Sequence, residues 1–235
     1  RLARLYATAK THKFDDINDI NITNLKFRPI MDQTGTFSYN TAQIISDYLK
    51  PLCINQYNIK DTLEFPSLLK SLPPLEDNEE YVSYDVESLF TNIPLNETID
   101  HIIEQIYVHK KLPKICNKLI FRRLLQKITT ECTFQFNSKC YKQIDGCSMG
   151  GPLSVTLSDI WMVKMENDIV VPYNPMFYRR YIDDIFYRRN KVIKDELFEN
   201  LNKYHLKIKL TIEVNPNKFL DTKIDITNTR VKTSV

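Results

Sequence analysis

Apolar residues recur every three to four positions in several stretches of the chain, the spacing that places side chains on one face of a helix. Ile99, Ile102, Ile103 and Ile106 form the clearest such set. This period predicts helices over residues 38–52, 98–109, 119–128, 153–168 and 195–205. The fourth of these is apolar on most of its surface, which predicts that it is buried.

Alternation of apolar and polar residues, the pattern of half-buried strands, marks other stretches. It predicts a strand–turn–strand unit over residues 1–35, a strand that opens at Glu79, hairpins over 133–144 and 176–188, and strands over 207–214 and 218–226. The first hairpin turns at Asn137-Ser138, and Pro73-Pro74 marks a loop over 70–78. This order predicts an α+β fold with helices on one face of an antiparallel sheet. RNA-recognition modules share that topology, so the fold alone leaves the function undecided.

The composition is that of a soluble globular protein long enough to bury a core. The chain has 235 residues, of which 43% are hydrophobic and 26% are charged. A net charge of +3 does not by itself indicate a nucleic-acid partner. Residues 105–130, however, hold five Lys and two Arg and no acid. Such a run either follows a phosphate backbone or forms a solvated helix face, and the two interpretations are evenly matched.

Cysteine usage and hydropathy bear on the location of the protein. The five cysteines are an odd number without zinc-ligand spacing, which fits a reduced, intracellular protein. No apolar run approaches the roughly 18 residues that span a bilayer, and no signal peptide is recognisable, so we expect no membrane partner. The chain starts with Arg1 and ends within strand-like sequence, and we expect it to be the core of a longer polyprotein.

Two acidic motifs carry the candidate chemistry. Asp183 and Asp184 lie at the predicted turn of the second hairpin, and Asp85 ends the strand that opens at Glu79. An acidic pair at a turn repels itself, and a hard divalent cation would remove that repulsion. If the strands are neighbours, three carboxylates can hold two metal ions roughly 3.5–4 Å apart for phosphoryl transfer. Taken singly, the pair is also explained as a solvated turn and Asp85 as a strand-end cap.

A glycine-rich motif lies between the two acidic motifs. Residues 145–154, Asp-Gly-Cys-Ser-Met-Gly-Gly-Pro-Leu-Ser, hold three of the four glycines of the chain. Glycine permits close backbone approach, and Pro152 suits the first turn of the helix that follows. A loop of this kind ahead of a helix favours a phosphate or a base pair against its backbone, although close packing alone would also explain it.

In their order along the chain and in their amino-acid sequence, these motifs resemble the palm of reverse transcriptases. The resemblance is greatest to Penelope-like retroelements, a branch similar to telomerase. The resemblance extends from Leu5 to about Ile226. The residues that carry it are 84–94, Phe134-Gln135-Phe136, Tyr141-Lys142-Gln143, Gly146, Met149-Gly150, Leu153-Ser154 and Tyr181-Ile182-Asp183-Asp184, with Lys10-Thr11-His12-Lys13, Arg28-Pro29-Ile30 and Phe219-Leu220-Asp221 near the ends.

The resemblance implies the fingers and palm of a right-hand polymerase with the thumb absent. It places the first part of the fingers in residues 1–80 and the palm strand with the first catalytic Asp in 81–95. Helices of the fingers and palm and a hairpin follow in 96–145. The glycine-rich loop, the Asp-Asp hairpin and primer-grip-like strands of the palm occupy 146–235. Only fourteen residues follow Asp221, too few for a helical thumb.

The resemblance also implies a set of site residues. Asp85, Asp183 and Asp184 are the implied catalytic residues, and together with the Val86 carbonyl they would hold two Mg²⁺ ions, with Mn²⁺ as an alternative. The implied primer grip is Phe219, Leu220 and Asp221. The residues implied to contact the nucleotide are Lys10, Lys13, Arg28, Ser88, Leu89, Phe90, Met149 and Gly150.

Some of these roles have ordinary alternatives. Arg28 suits a triphosphate contact because its guanidinium holds two oxygens at once, but it is also explained as a surface cation. Phe90 would exclude a ribose 2′-hydroxyl by its bulk, or it is a core residue. Asp221 is almost as well explained as a strand-edge acid. Met149 stands where most reverse transcriptases carry Gln, and Met supplies bulk without that hydrogen bond.

The sequence therefore predicts the RNA-directed DNA polymerase core of a retroelement, located in the nucleus. Its expected partners are an RNA template, a DNA primer and deoxynucleoside triphosphates. One rival is an RNA-directed RNA polymerase, which Phe90 disfavours. Another is a catalytically inactive, domesticated nucleic-acid-binding protein, which the retention of three aspartates disfavours. A role in telomere maintenance and a nuclease downstream stay open.

Overall fold

A computed structural model of the protein describes residues 1–9, 23, 25, 27–130, 133–227 and 230–234. In chain order, the strands are β1 Ala3–Ala9, β2 Phe27–Asp32, β3 Glu79–Val86, β4 Thr133–Phe136, β5 Lys139–Lys142, β6 Phe177–Tyr181, β7 Asp184–Asn190, β8 Leu210–Val214, β9 Lys218–Phe219, β10 Thr222–Thr227 and β11 Arg230–Ser234. The α-helices are α1 Tyr39–Leu49, α2 Glu64–Lys70, α3 Leu89–Asn92, α4 Leu95–Tyr107, α5 Lys118–Thr130, α6 Ser154–Met165, α7 Val171–Tyr173 and α8 Glu196–Tyr204. A 3₁₀ turn covers Lys50–Cys53, and a π-helical turn covers Glu166–Val170.

The chain divides into two compact units, and helix α6 contains one of the boundaries. The first unit comprises Arg1–Pro51 and Phe90–Leu157, and the second comprises Leu52–Leu89 and Ser158–Val235. The predicted boundaries between fingers and palm fall elsewhere along the chain, and the functional division stays a prediction. No helix among the described residues is long and apolar enough to cross a membrane.

The first unit contains a four-stranded sheet and a pair of amphipathic helices. The strand order is β2-β1-β4-β5, in which β1 pairs antiparallel with β2 and parallel with β4. The β4–β5 hairpin turns at Asn137-Ser138, as predicted, and both residues have positive φ. Helices α4 and α5 contact each other. Helix α4 buries the residues that the sequence pattern selects, Ile99, Ile102, Ile103 and Ile106. Helix α5 buries Phe121, Leu125 and Ile128.

The second unit is built on an antiparallel sheet with the strand order β6-β7-β3-β8. Successive side chains of a strand point to opposite faces. On one face Tyr81 and Phe186 pack with Phe65 of α2, whose ring lies 5.0 Å from that of Phe186. On the other face Tyr84 packs against Phe198 of α8, with 5.2 Å between the ring centroids. The α+β class and the antiparallel sheet are confirmed, whereas the prediction of helices on one face only is wrong for this sheet.

Two further predictions of local structure are wrong. Residues 218–226, predicted as one strand, form the β9–β10 hairpin, because Leu220 adopts a left-handed φ of 53° and turns the chain. The helix predicted over 153–168 does not stop there, since the π-helical turn carries it on into α7. The short helix α2 has no counterpart among the predicted elements. Its buried residues Phe65 and Leu69 join the aromatic core of the second unit.

Candidate active site

Two neighbouring strands of the second unit bring the predicted catalytic aspartates together. In the β3–β7 ladder Asp85 lies directly opposite Asp184, a position where Cβ atoms are roughly 4.5–5.5 Å apart. Asp183 belongs to the two-residue turn that joins β6 to β7, and its carbonyl accepts a hydrogen bond of 3.2 Å from the Val86 amide. The sheet therefore places the three residues at one end of adjacent strands, as the sequence predicts.

The carboxylates at this end of the sheet disturb one another electrostatically. Burial, together with the charges of Asp183 and Asp85, raises the pKa of Asp184 to about 7. Asp85 itself is exposed, whereas Val86 is buried. The arrangement therefore concentrates negative charge at a partly desolvated position, which a cation bound to the carboxylates would neutralise.

The donor set matches the chemistry of a hard divalent ion in part. Carboxylate oxygens are the ligands that Mg²⁺ prefers, and Asp85 and Asp184 are direct cross-strand neighbours. Within the described ranges, however, no group of three or more His, Cys, Asp or Glu side chains is arranged so that it could hold a metal ion together. The side chains thus fit the ion in kind and in pairwise placement, and the predicted two-ion geometry stays a proposal.

The raised pKa of Asp184 has a measurable consequence for stability. Because the pKa of Asp184 is raised from 3.8 to about 7, the folded protein holds this proton more tightly than the unfolded chain does. Stability is therefore lost as the pH rises through this interval.

In EDTA at pH 8 we expect Asp184→Asn to melt roughly 2–6 °C above the wild type. The gain should shrink towards zero near pH 4. Thermal unfolding scans across this range test it, with exposed Asp77→Asn as the control, and a wild type equal to Asp184→Asn at pH 8 would contradict the expectation.

The turn that carries Asp183 has an unusual backbone. Ile182 adopts a φ of 56°. Left-handed backbone is uncommon outside glycine and is a genuine outlier for a β-branched residue. Such outliers persist only where the surrounding structure over-determines them, and they cluster at functional sites.

The glycine-rich loop of the first unit contacts two elements that carry predicted nucleotide-contacting residues. The Met31 amide of β2 donates to the Met149 carbonyl at 2.6 Å, and a Cβ on Gly150 would lie 2.8 Å from the Met31 carbonyl oxygen. The Cys147 amide donates to the Phe90 carbonyl, also at 2.6 Å. The glycine-rich loop is thus bound by its backbone to the strand that carries Arg28 and to the helix that carries Phe90.

Gly146 cannot be replaced without moving this loop. Its φ is +66°, and a Cβ there would lie 2.3 Å from the Thr91 carbonyl oxygen. Gly35 offers a matched control, because its φ is +72° and nothing lies within 4 Å of its virtual Cβ. We expect Gly35→Ala to cost about 1 kcal/mol for its left-handed backbone and Gly146→Ala to cost about 3 kcal/mol. Chemical denaturation of both variants measures the difference, and equal losses would show that the loop yields to the added methyl group.

The remaining predicted residues have varied surroundings. Arg28 on β2 is half-buried, Ser88 is exposed with a φ of 51°, and Leu89 is buried. Lys10 and Lys13 lie outside the described residues. The Phe219 side chain belongs to the aromatic core, 4.7 Å from Phe65 between ring centroids. Leu220 and the exposed Asp221 form the turn of the β9–β10 hairpin, and their role as a primer grip stays a prediction.

The structure adds residues that the sequence pattern does not reveal. In the first unit the side-chain amide of buried Gln33 donates a hydrogen bond of 2.7 Å to the Ser148 hydroxyl, beside Gly151. In the second unit the Tyr84 hydroxyl, next in sequence to Asp85, donates 2.6 Å to Asp195, the N-cap of α8. Arg180, three residues before Asp183, is fully buried. A Gln or an Arg carries no periodic signal that marks it as buried, so only the tertiary structure identifies them.

The fold is similar to that of solved polymerase structures. Apo telomerase of Candida tropicalis truncated from its C-terminal domain matches with a TM-score of 0.63 and 12% identity, over 99% of this chain and 55% of that one. Telomerase of Candida albicans in complex with a TWJ fragment of telomeric RNA matches with a TM-score of 0.65 and 10% identity, over 98% and 46%. The RNA-dependent RNA polymerase of bacteriophage phi12 matches with a TM-score of 0.54 and 12% identity, over 89% and 36%. At such identities the likeness establishes the fold alone, and the chain spans about half the length of the telomerase structures.

The sequence itself identifies the family. Residues 18–225 match the reverse transcriptase (RNA-dependent DNA polymerase) family. This match covers most of the chain, and the protein therefore belongs to the reverse transcriptase family. No curated protein matches the sequence.

Proposed function

We propose that this protein is the catalytic core of an RNA-directed DNA polymerase that adds deoxynucleotides to a primer 3′-hydroxyl. The observation that carries the proposal is the cross-strand pairing of Asp85 with Asp184, beside Asp183, in a member of the reverse transcriptase family. We assign the first unit to the fingers and the sheet of the second unit to the palm. The glycine-rich loop and the β2 strand supply the nucleotide-contacting surface of the first unit.

Each residue has a role that follows from its chemistry. Asp85, Asp183 and Asp184, with the Val86 carbonyl, would hold two Mg²⁺ ions, and Mn²⁺ would substitute. Bound divalent ions stabilise the attacking and leaving oxygens of phosphoryl transfer by Lewis-acid action. Arg28 holds phosphate oxygens of the incoming nucleotide through its planar fork of donors. Phe90 lies against the sugar, and its ring leaves no room for a 2′-hydroxyl.

The finer assignment is to the Penelope-like retroelements. It rests on the segment 84–94 and on Met149-Gly150 in place of Gln-Gly. The likeness of fold to telomerase agrees with this branch. An RNA template, a DNA primer and deoxynucleoside triphosphates are the partners that follow, and we propose a nuclear location.

Primer extension tests the proposal. A labelled DNA primer on an RNA template should be extended in Mg²⁺ by the deoxynucleotide complementary to the next template base. EDTA should stop the reaction, and the three other deoxynucleotides should support little of it. Extension that does not depend on the template base would argue against a template-directed polymerase. Binding of the primer–template without extension under any metal condition would argue for a nucleic-acid-binding protein without activity.

A further inference from the structure

One charged side chain of the second unit is buried behind the candidate active site. Arg180 lies on β6, its side chain is 0% exposed, and it follows Arg179 in the strand that leads into the catalytic turn. Arg180 pairs across the ladder with Ile185, whereas Asp184 pairs with Tyr181. Because side chains alternate along a strand, Arg180 lies on the face of the sheet opposite to Asp184.

Two acids hold the guanidinium in place. Its Nε donates a hydrogen bond of 2.7 Å to Glu166 in the π-helical turn, and its Nη1 donates one of 2.8 Å to Asp159 on α6. Glu166 is itself fully buried and accepts a further hydrogen bond of 2.6 Å from the Asn55 amide. A buried arginine is costly unless its donors are satisfied, and here two carboxylates satisfy them. The guanidinium is therefore fixed by the helix behind the sheet.

The same guanidinium contacts the turn Ile182-Asp183 between β6 and β7. Nη1 donates 3.0 Å to the carbonyl of Ile182, the residue with the left-handed φ of 56°. A β-branched residue does not adopt this conformation without support. Asp183 and Asp184 follow Ile182 directly in the chain. The orientation of the Ile182 peptide therefore determines the positions from which both carboxylate side chains extend.

We propose that Arg180 is a positioning residue, which couples the α6 and π-helical acids to the Ile182 carbonyl and thereby fixes the strained turn that presents Asp183 and Asp184. Arginine suits this task because its rigid fork addresses several acceptors in different directions at once. A lysine at this position would keep the charge and pair with one acid, but it could not also hold the turn. The consequence for catalysis rests on the proposed function, whereas the coupling to the turn does not.

The test compares two buried arginines of the same sheet. Arg188 on β7 is 3% exposed, donates to the Pro73 and Pro74 carbonyls and pairs with Glu79, and none of these groups belongs to the turn. We expect Arg180→Lys to lower kcat roughly 10- to 100-fold at saturating nucleotide, the loss that a small misplacement of catalytic groups causes. The KM for the nucleotide should change little. Arg188→Lys should lower the melting temperature but keep kcat, measured below both melting temperatures.

A second readout needs no catalysis. Hydrogen–deuterium exchange of the amides of residues 181–185 should be faster in Arg180→Lys than in the wild type and in Arg188→Lys. Should Arg180→Lys fail to fold, Asp159→Asn replaces it, because Asp159 is 20% exposed and its loss leaves the Arg180–Glu166 pair in place. Asp159→Asn should show the same changes at smaller amplitude.

A double-mutant cycle tests the route through Ile182. Asn tolerates left-handed backbone far better than Ile does. If Arg180 acts by holding the strained residue, the rise in turn exchange on Arg180→Lys should be smaller in an Ile182→Asn background. Unchanged exchange of the turn in Arg180→Lys and Asp159→Asn, or equal kcat losses in Arg180→Lys and Arg188→Lys, would overturn the proposal. Faster exchange in a protein whose wild type extends no primer would reject the polymerase function and leave the coupling intact.

Discussion

Asp85→Asn and Asp183→Asn are each expected to abolish nucleotide addition while the fold survives. Asn keeps the shape of Asp and removes the charge that binds a cation. Metal clamping supplies several kcal/mol to phosphoryl transfer, and each 1.36 kcal/mol is a factor of ten, so we expect a loss of at least about a thousandfold in kcat. The loss at Asp184 should be smaller. Single-turnover extension of a primer by one nucleotide measures these rates.

Two controls separate lost chemistry from lost structure. Asp77→Asn removes an exposed carboxylate from the loop before β3 and should extend the primer at the wild-type rate. Asp85 is also exposed, so Asp85→Asn should melt close to the wild-type temperature. Addition of Mg²⁺ should raise the melting temperature of the wild type more than that of either Asn variant. Near-normal extension by Asp85→Asn or Asp183→Asn would remove the basis for the two-metal assignment.

Phe90→Val is expected to relax sugar selection. Phe90 is half-buried in α3, and its carbonyl accepts the Cys147 amide of the glycine-rich loop, so its backbone is fixed while part of the ring stays accessible. A shorter side chain opens space for a 2′-hydroxyl. We expect the ratio of kcat/KM for ribonucleotides to that for deoxyribonucleotides to rise roughly 10- to 100-fold.

The matched control is Phe136→Val, an exposed phenylalanine on β4 of the same unit. It should leave the ratio unchanged, because its ring lies at the surface of the β4–β5 hairpin. A ratio that does not move in Phe90→Val would show that Phe90 is a packing residue. The argument against an RNA-directed RNA polymerase would then lose its main support.

The core of the candidate site was predictable because its signals are local. The Asp183-Asp184 pair at a turn between aromatic runs, and Asp85 at a strand end, both stand out in the sequence, and the antiparallel β3–β7 ladder confirms that the strands are neighbours. The glycine-rich motif was likewise recognisable, because it holds three of the four glycines of the chain. In the structure, Gly146 and Gly150 lie at positions where a Cβ would meet backbone atoms.

The errors concern features that depend on tertiary contacts. Leu220 carries no turn signal, yet its left-handed backbone converts a predicted strand into a hairpin. Helix α2 contains Pro66 and only seven residues, too short for a clear helical period, so the coverage of both sheet faces was missed. Arg180 and Glu166 resemble surface charges in the sequence, and only their burial against each other reveals their role.

The measurement that tests the central claim most directly is primer extension with matched templates and substrates. The protein is given one DNA primer on RNA and DNA templates of the same sequence, with either deoxynucleotides or ribonucleotides in Mg²⁺, and kcat/KM is determined for all four combinations. An RNA-directed DNA polymerase should use the RNA template with deoxynucleotides efficiently and discriminate against ribonucleotides on it, and Asp85→Asn should remove this activity. Preferential use of ribonucleotides on the RNA template, or activity that survives Asp85→Asn, would contradict the account.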